Sequence, residues 1–335
     1  MCGAAAFHER FVSTDLLLAV PGRFRYVECS GCRTVYQNPR VLEEDLPLCY
    51  PAGYFTHETQ PWTPHPAPPG SLRDRLKRAI RCAADGVADQ GLTTTLRLAG
   101  RMLALFPPLR YRARLGLVDG LAPPGAGIGR CLEVGPGQGF ELWCLRTLGW
   151  EACGLEVDPV AARVARARSG CEVRVGTLAS TDFPAGSFDL IYMSHVFEHL
   201  PDPAPSLARC RDLLRPGGRL LFLYPNVGAL TARLAGPLSV VWDPPRHLTL
   251  PPPAAAASLV GRLGFVDVRT RTTSRQAAVN FEAARKRRRG ERWDPLILDP
   301  PRPIDRLFSF AEAILVGMAW QVGEEVIVRA RKPRD

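Results

Sequence analysis

Short apolar runs alternate with amphipathic stretches through the second half of the chain. The apolar runs have the length of buried strands and lie near residues 129–134, 152–157, 172–176, 188–194, 219–224 and 265–273. The stretches between them have helical spacing and lie near residues 140–148, 159–168, 204–214 and 255–263. Strands that alternate with helices predict an α/β fold with a doubly wound, mostly parallel sheet.

Changes in composition divide the chain into three regions. Residues 1–58 contain several aromatic residues and Cys2, Cys29, Cys32 and Cys49. Residues 59–128 begin with a proline-rich stretch, which predicts a linker, and continue with apolar residues at helical spacing. Residues 129–335 hold the strand–helix alternation, with a helical insertion at about 275–322 before a last strand at 323–331.

A glycine-rich loop follows the first of these predicted strands. Gly135, Gly137 and Gly139 allow a sharp turn and a close approach of backbone N–H groups to a ligand. Glu156 ends the next predicted strand, about 20 residues further on, where an acidic side chain can accept the hydroxyls of a ribose. The pairing predicts a cofactor that contains a nucleoside.

The spacing of the glycines narrows the choice of cofactor. A dinucleotide fingerprint requires a further glycine at the position of Phe140, and the phosphate-binding motif of nucleoside triphosphatases is absent from the sequence. An adenosine ligand without phosphates fits the loop better.

Four segments carry a resemblance to a known family: residues 132–139, 154–158, 187–200 and 214–224. Their order and spacing resemble class I S-adenosylmethionine (SAM)-dependent methyltransferases, in particular the branch that acts on small molecules. The resemblance covers about residues 129–273 and a last strand near 324–331. It implies a seven-stranded Rossmann-like sheet whose last strand is antiparallel, with SAM as the cofactor.

The resemblance also implies roles for individual residues. The glycine loop would pass under the methionine part of SAM and Glu156 would bind the ribose. Many family members have an acidic residue at the position of Thr177, so adenine recognition here shifts towards backbone groups. The cofactor-binding residues implied in this way are Glu133, Gly135, Gly137, Gly139, Glu156, Thr177, Leu178 and His195.

Two histidines are candidates for acid–base chemistry. Transfer of the methyl group to a hydroxyl is helped by a base, and histidine has a suitable pKa. By resemblance, His195 faces SAM and the acceptor and is the first candidate catalytic residue, and His247, on a loop near the acceptor, is the second. The H-x-x-E-H pattern of residues 195–199 is not a zinc-protease helix, because a strand precedes it and Pro201 follows. Glu198 or His199 would brace the loop.

The N-terminal cysteines predict a metal site. Cys29 and Cys32 have the C-x-x-C spacing of a zinc knuckle, and a structural zinc ion requires four ligands. By resemblance to methyltransferases with an N-terminal zinc-ribbon-like segment, Cys2, Cys29 and Cys32 are ligands of a structural zinc ion. His8 or Cys49 could supply the fourth ligand, and a degenerate knuckle without metal is the alternative.

Charge and hydropathy leave two rival functions open. The net charge of +10 comes almost entirely from arginine, which indicates a solvated basic surface rather than nucleic-acid binding. No apolar run is long enough to span a membrane and no secretory signal is visible, so a cytoplasmic enzyme with reduced thiols is expected. A small-molecule acceptor is predicted. An RNA methyltransferase, suggested by the basic run 285–289, and a non-catalytic SAM-binding scaffold are the alternatives, and the oligomeric state is open.

Overall fold

Two sheets organise the chain in a computed structural model that describes residues 2–51, 71–85, 91–106, 109, 129–295 and 299–334. The strands are β1 (Phe7–Ser13), β2 (Phe24–Cys29), β3 (Val35–Gln37), β4 (Arg130–Val134), β5 (Glu151–Glu156), β6 (Glu172–Val175), β7 (Phe188–Ser194), β8 (Leu214–Pro225), β9 (Thr249–Leu250), β10 (Val266–Thr273) and β11 (Glu325–Arg331). The larger sheet has seven strands in the order β10-β11-β8-β7-β4-β5-β6.

The larger sheet has the predicted topology. Strands β8, β7, β4, β5 and β6 are parallel, and β11 is antiparallel to both β8 and β10. The doubly wound, mostly parallel sheet and its antiparallel last strand are therefore confirmed. The start of β8 differs from the prediction, because residues 215–218 form a bulge inside this strand opposite Asp189 and do not precede it.

Helices cover both faces of this sheet, which explains why its central strands β4 and β7 are mostly apolar and buried. Leu132 and Ile191 pack with one set of helices, and Cys131 and Tyr192 pack on the opposite face. The helices are α1 (Leu72–Asp85), α2 (Thr94–Ala104), α3 (Phe140–Thr147), α4 (Pro159–Ser169), α5 (Pro203–Leu213), α6 (Leu230–Ala235), α7 (Pro253–Arg262), α8 (Ala277–Arg288) and α9 (Pro303–Gly317).

The region before β4 and the insertion are described only in part. The predicted proline-rich linker falls largely on residues outside the described ranges, and α1 packs against α2 within the predicted helical region. The predicted insertion at about 275–322 contains α8 and α9. Within the described ranges, no helix combines the length and the apolarity needed to cross a bilayer.

The smaller sheet joins the N-terminal segment to the larger domain. Its strand order is β1-β2-β3-β9, so three strands come from residues 1–58 and the fourth follows the loop that contains His247. The ring of Trp242 on that loop packs against Phe11 and Tyr26, with centroid distances of 4.8 and 5.8 Å. The Tyr26 hydroxyl donates hydrogen bonds to the carbonyls of Trp242 and His247. The N-terminal segment therefore holds one wall of the candidate site in place.

A buried ion-pair network strengthens this junction. The guanidinium of Arg246 has no exposed side-chain surface and donates to both carboxylate oxygens of Asp15, at 2.9 and 2.8 Å. It also donates to both oxygens of Asp243, at 2.9 and 2.7 Å. Because each buried charge is compensated only by its partners, the network ties β1–β2 to the loop before β9.

Replacing the buried cation should weaken the fold. We expect Arg246→Met to lower the free energy of unfolding by about 3–5 kcal/mol, because two buried carboxylates lose their counter-charge. Equilibrium urea unfolding followed by tryptophan fluorescence measures this loss. Arg174→Met is the control, because its ion pair with Glu172 is exposed and should contribute little. Equal losses in the two variants would contradict the structural role of the network.

Candidate active site

The glycine loop lies at the carboxyl end of β4 and requires glycine at two positions for steric reasons. Gly135 and Gly139 have φ values of +69° and +84°, in the left-handed region. A Cβ at Gly135 would lie 2.4 Å from Val196 Cγ2, and one at Gly139 would lie 2.9 Å from the backbone of Ala165. The loop therefore passes close to the segment after β7 and to α4.

Glu156 ends β5 and is hydrogen-bonded to the glycine loop. Its Oε2 accepts the backbone N–H of Gly137 at 3.0 Å, and its Oε1 accepts that of Asp158 at 3.2 Å. Burial raises the pKa of Glu156, and the two N–H donors partly oppose that shift. A carboxylate can accept about four hydrogen bonds, so capacity remains for two ribose hydroxyls. Asp158 caps the start of α4, because its Oδ1 accepts the Ala161 N–H at 2.7 Å.

Glu133 lies two residues before the loop with an unsatisfied carboxylate. Its side chain is buried, and within the described residues its Oε2 has no hydrogen-bond partner. Burial, with Glu141 and Glu156 nearby, raises its pKa well above the usual range. A buried oxygen without a partner is costly unless a ligand or water satisfies it. Together with the glycine loop, this oxygen fits a cofactor that brings hydrogen-bond donors to the edge of the sheet, as the amino acid part of SAM does.

The segment after β6 forms a compact turn. The backbone N–H and the hydroxyl of Thr177 both donate to Ser180 Oγ, at 2.8 and 3.2 Å, and Leu178 is buried. The backbone donor of Thr177 is therefore already used within the turn. Contact of Thr177 and Leu178 with adenine stays a prediction.

His195 lies directly after β7 between two carboxylates. Its Nδ1 is 3.2 Å from Glu198 Oε1, and its Nε2 is 2.7 Å from Glu325 Oε1. Ionised carboxylates only accept, so both ring nitrogens carry protons in this arrangement. Burial disfavours the charged ring, but the bonds to Glu198 and Glu325 outweigh burial and raise the pKa of His195 to about 10. A base role for His195 stays a prediction, and it requires His195 first to release a proton.

The backbone of His195 indicates a constrained position. Its φ is +54°, in the left-handed region that residues other than glycine seldom adopt. Its backbone N–H donates to the Leu223 carbonyl at 3.0 Å, which ties the turn to β8. Such strain persists only where surrounding contacts enforce it, and it is common at functional sites.

Glu325 and Arg275 were not among the sequence-based candidates. Arg275 donates to Glu325 Oε2 at 3.2 Å and to Oε1 at 2.8 Å. Burial alone would raise the pKa of Glu325, but Arg275 and His195 lower it to about 2. The predicted antiparallel last strand could have indicated Glu325 as a site residue. An antiparallel last strand begins at the edge where the parallel strands end, so its first residue, Glu325, belongs to the site.

His247 lies beside the same carboxylate as His195. It is buried, its Nδ1 is 2.7 Å from the carbonyl oxygen of Val241, and its Nε2 is 3.9 Å from Glu198 Oε1. The structure thus brings both predicted catalytic histidines to Glu198. A base role for His247 also stays a prediction.

The three predicted zinc ligands converge in the smaller sheet. The sulfur atoms of Cys2, Cys29 and Cys32 all lie within 4.8 Å of one another, and those of Cys2 and Cys29 are 3.5 Å apart. The Ala4 N–H and the thiols of Cys32 and Cys29 lower the pKa of Cys2 to about 7. Neither suggested fourth ligand belongs to the group in this structure. His8 lies exposed on β1. Cys49 lies beside Arg246, whose guanidinium donates a hydrogen bond to the Cys49 carbonyl.

Comparison with known proteins identifies the family. A family model described as a methyltransferase domain matches residues 97–270, which is just over half of the chain. The chain belongs to the class I SAM-dependent methyltransferases. SAM is therefore its cofactor, and the geometry of the glycine loop and Glu156 fits that cofactor.

Curated relatives include ubiquinone biosynthesis O-methyltransferases. The protein from Thiobacillus denitrificans is 33% identical over 128 residues, which cover 36% of this methyltransferase and 54% of the relative. The protein from Xanthomonas axonopodis pv. citri is 35% identical over 106 residues, which cover 30% of this chain and 43% of the relative. The chain thus spans about half the length of the curated relatives it matches.

Solved structures with a similar fold share less sequence. A SAM-dependent methyltransferase from Thermotoga maritima, described as a possible histamine N-methyltransferase, has a TM-score of 0.45 and 19% identity. The match covers 69% of this methyltransferase and 93% of that chain. Phosphoethanolamine N-methyltransferase 2 from Haemonchus contortus, solved with SAM, has a TM-score of 0.44 and 19% identity. That match covers 68% of this methyltransferase and 52% of the solved chain.

A side chain at Gly135 should displace the glycine loop and weaken SAM binding. We expect Gly135→Ala to weaken SAM binding at least about 10-fold, because the new methyl group collides with Val196 and displaces the loop. Isothermal titration calorimetry measures the affinity. Gly149→Ala is the matched control, because Gly149 has a similar φ of +93° but no atom within 4 Å of the position that a Cβ would take. A SAM affinity that Gly135→Ala leaves unchanged would show that the loop does not contact the cofactor.

Proposed function

We propose that this methyltransferase transfers a methyl group from SAM to a hydroxyl oxygen of a small-molecule acceptor. The single observation that best supports the proposed SAM site is the buried Glu156 carboxylate, which accepts a hydrogen bond from the Gly137 N–H of the glycine loop. The names of the curated relatives support oxygen as the methylated atom and a quinone-like phenol as one acceptor class. A sugar or another natural-product hydroxyl is an acceptor of the same chemistry.

In this reaction the acceptor oxygen forms a bond to the methyl carbon while the carbon–sulfur bond of SAM breaks. The electron pair of that bond stays on sulfur, which yields S-adenosylhomocysteine. Sulfonium is already reactive, so the protein contributes mainly by holding oxygen, carbon and sulfur in line, which can supply about 7–11 kcal/mol of the barrier. Glu133, the glycine loop, Glu156, Thr177 and Leu178 bind the cofactor in this proposal.

The acceptor side of the proposed site is the wall formed by His195 and its carboxylate partners. About a third of the His195 side chain is exposed, whereas Glu198 and Glu325 beneath it are almost fully buried. His195 can therefore contact an acceptor through its exposed ring surface, while both of its ring N–H groups stay bonded to Glu198 and Glu325. To take the proton of the acceptor hydroxyl, His195 must first release one of its own protons, which its raised pKa of about 10 opposes.

The basic run at residues 285–289 supports a structural role more than an RNA-binding surface. Arg285 pairs with Asp305 at 3.2 Å, and Lys286 pairs with Glu282 and Asp299 at 3.0 and 2.8 Å. The guanidinium groups of the next two arginines donate to backbone carbonyls near α6. These cations bind the protein itself, which favours a small-molecule acceptor over RNA.

We also propose that Cys2, Cys29 and Cys32 hold a structural zinc ion. Their sulfur atoms lie close enough together to share one ion, and thiolates are ligands that zinc prefers. Within the described residues no fourth protein ligand joins them, so the remaining position falls to water or to a residue outside those ranges. Such a site would stabilise the turn between β2 and β3.

Neutralising the ribose-binding carboxylate should weaken cofactor binding. We expect Glu156→Gln to weaken SAM binding about 10- to 100-fold, the effect of losing hydrogen bonds to a charged acceptor. Calorimetry with SAM and with S-adenosylhomocysteine measures the change. Glu151→Gln, at the exposed start of the same strand, should bind both ligands as the wild type does. Wild-type affinity in Glu156→Gln would remove this residue from the cofactor site.

His195 should matter more for turnover than for cofactor affinity. We expect His195→Asn to lower turnover about 100-fold and to change the SAM dissociation constant less than about threefold. Asparagine tolerates the left-handed backbone of this position, so the turn should persist. The assay follows S-adenosylhomocysteine release with a catechol, quinol or sugar that the wild type accepts. His8→Gln, on the exposed β1, is the control, and full turnover in His195→Asn would exclude a role in the reaction.

A further inference from the structure

A carboxylate and two imidazoles converge beside the acceptor wall. Glu198 and His199 lie on the short turn after β7, and His247 lies on the loop before β9. The Nε2 atoms of His199 and His247 are 4.0 and 3.9 Å from Glu198 Oε1, and one ligand atom from each residue lies within 4.8 Å of the other two. These separations exceed a hydrogen bond, and they are longer than the roughly 3.3 Å between ligand atoms of a tetrahedral zinc ion, so the three side chains must move slightly inward to share one ion.

Hydrogen bonds at Nδ1 orient the rings of His199 and His247 and leave the lone pair of each Nε2 available to a metal ion. The Nδ1 of His199 is 3.0 Å from the Arg246 carbonyl oxygen and 3.1 Å from the Tyr50 hydroxyl, whose oxygen can accept from the same N–H. The Nδ1 of His247 is 2.7 Å from the Val241 carbonyl oxygen. Carbonyl oxygens only accept, so each Nδ1 carries the proton and each Nε2 is unprotonated in the neutral ring. An imidazole that donates one N–H to a backbone carbonyl and presents the other nitrogen is the usual arrangement of a histidine that binds a metal.

Glu198 supplies the second, independent observation. Its side chain is completely buried, and its Oε2 has no hydrogen-bond partner within the described part of the chain. Oε1 is occupied by the bond from His195, as the carboxylate ligands of metals commonly are on one oxygen. The Nε2 atoms of His199 and His247 lie 4.0 and 3.9 Å from Oε1 of this carboxylate, too far for a hydrogen bond to it. A cation at this point would attract both nitrogen lone pairs and the carboxylate.

We propose that Glu198, His199 and His247 bind one divalent transition-metal ion. Two imidazoles and one carboxylate suit Zn²⁺, Co²⁺, Fe²⁺ or Mn²⁺ better than Mg²⁺ or Ca²⁺, which prefer oxygen ligands. Three protein ligands leave at least one coordination position for water or another oxygen ligand. The ion would link the turn after β7 to the loop before β9. It shares no ligand with the cysteine cluster, and its binding does not depend on which acceptor is methylated.

Titration of the metal-free, full-length chain with Co²⁺ tests this site. We expect a first set of weak visible absorption bands from Co²⁺ bound to nitrogen and oxygen. Cobalt bound to the thiolates of Cys2, Cys29 and Cys32 would add an intense near-ultraviolet charge-transfer band. Cys32→Ser should therefore reduce the ultraviolet band and leave the visible bands of the nitrogen–oxygen site in place.

Ligand variants decide between this site and non-specific binding. Glu198→Gln and His199→Gln should each raise the Co²⁺ dissociation constant of the nitrogen–oxygen site at least about 10-fold, whereas His8→Gln should not change it. Circular dichroism and SAM binding report whether each variant is folded. Unchanged Co²⁺ affinity in a folded Glu198→Gln chain would overturn the proposal. Absence of thiolate-free Co²⁺ bands from the wild type would also overturn it.

Discussion

The hydrogen bond from the Gly137 N–H to the buried carboxylate of Glu156 joins the two strands that form the cofactor edge. The glycine loop is also held by the bond from the Gly135 N–H to the Leu155 carbonyl at 2.8 Å, and by the close approach of Gly139 to Ala165. In the proposed site the Glu156 carboxylate also binds the ribose, so one buried charge would both order the loop and recognise the ligand. The position of the loop then determines where the methyl group of SAM can lie relative to the wall after β7.

A second set of buried charges orders that wall. Glu325 and Glu198 hold the two nitrogens of His195, and Arg275 compensates Glu325. Glu198 also lies beside His199 and His247. The loop that contains His247 is fixed to the smaller sheet by the ion pair of Arg246 with Asp15. The N-terminal segment is therefore coupled to the acceptor side of the enzyme through packed and hydrogen-bonded groups. This coupling gives a physical reason why a zinc-stabilised N-terminal sheet would matter for a reaction at the edge of the larger sheet.

Much of this architecture follows from local sequence patterns. The strands and helices of residues 129–273 were predictable because the apolar runs of central strands such as β4 and β7 are buried. The position of the glycine loop was predictable because its glycines and Glu156 have a fixed spacing. Glu325, one of the two partners of His195, was not found, since it lies 130 positions away and meets His195 only through the antiparallel last strand. The fourth strand of the smaller sheet was also missed, because two residues, Thr249 and Leu250, carry no strand signal without their partner β3.

A crystal structure of the chain with S-adenosylhomocysteine tests the role of Glu156 most directly. We predict that both ribose hydroxyls lie within about 3.2 Å of the Glu156 carboxylate, with the glycine loop against the amino acid part of the ligand. A nucleoside bound away from the carboxyl ends of β4 and β5, or a Glu156 carboxylate without contact to the ribose, would contradict this prediction.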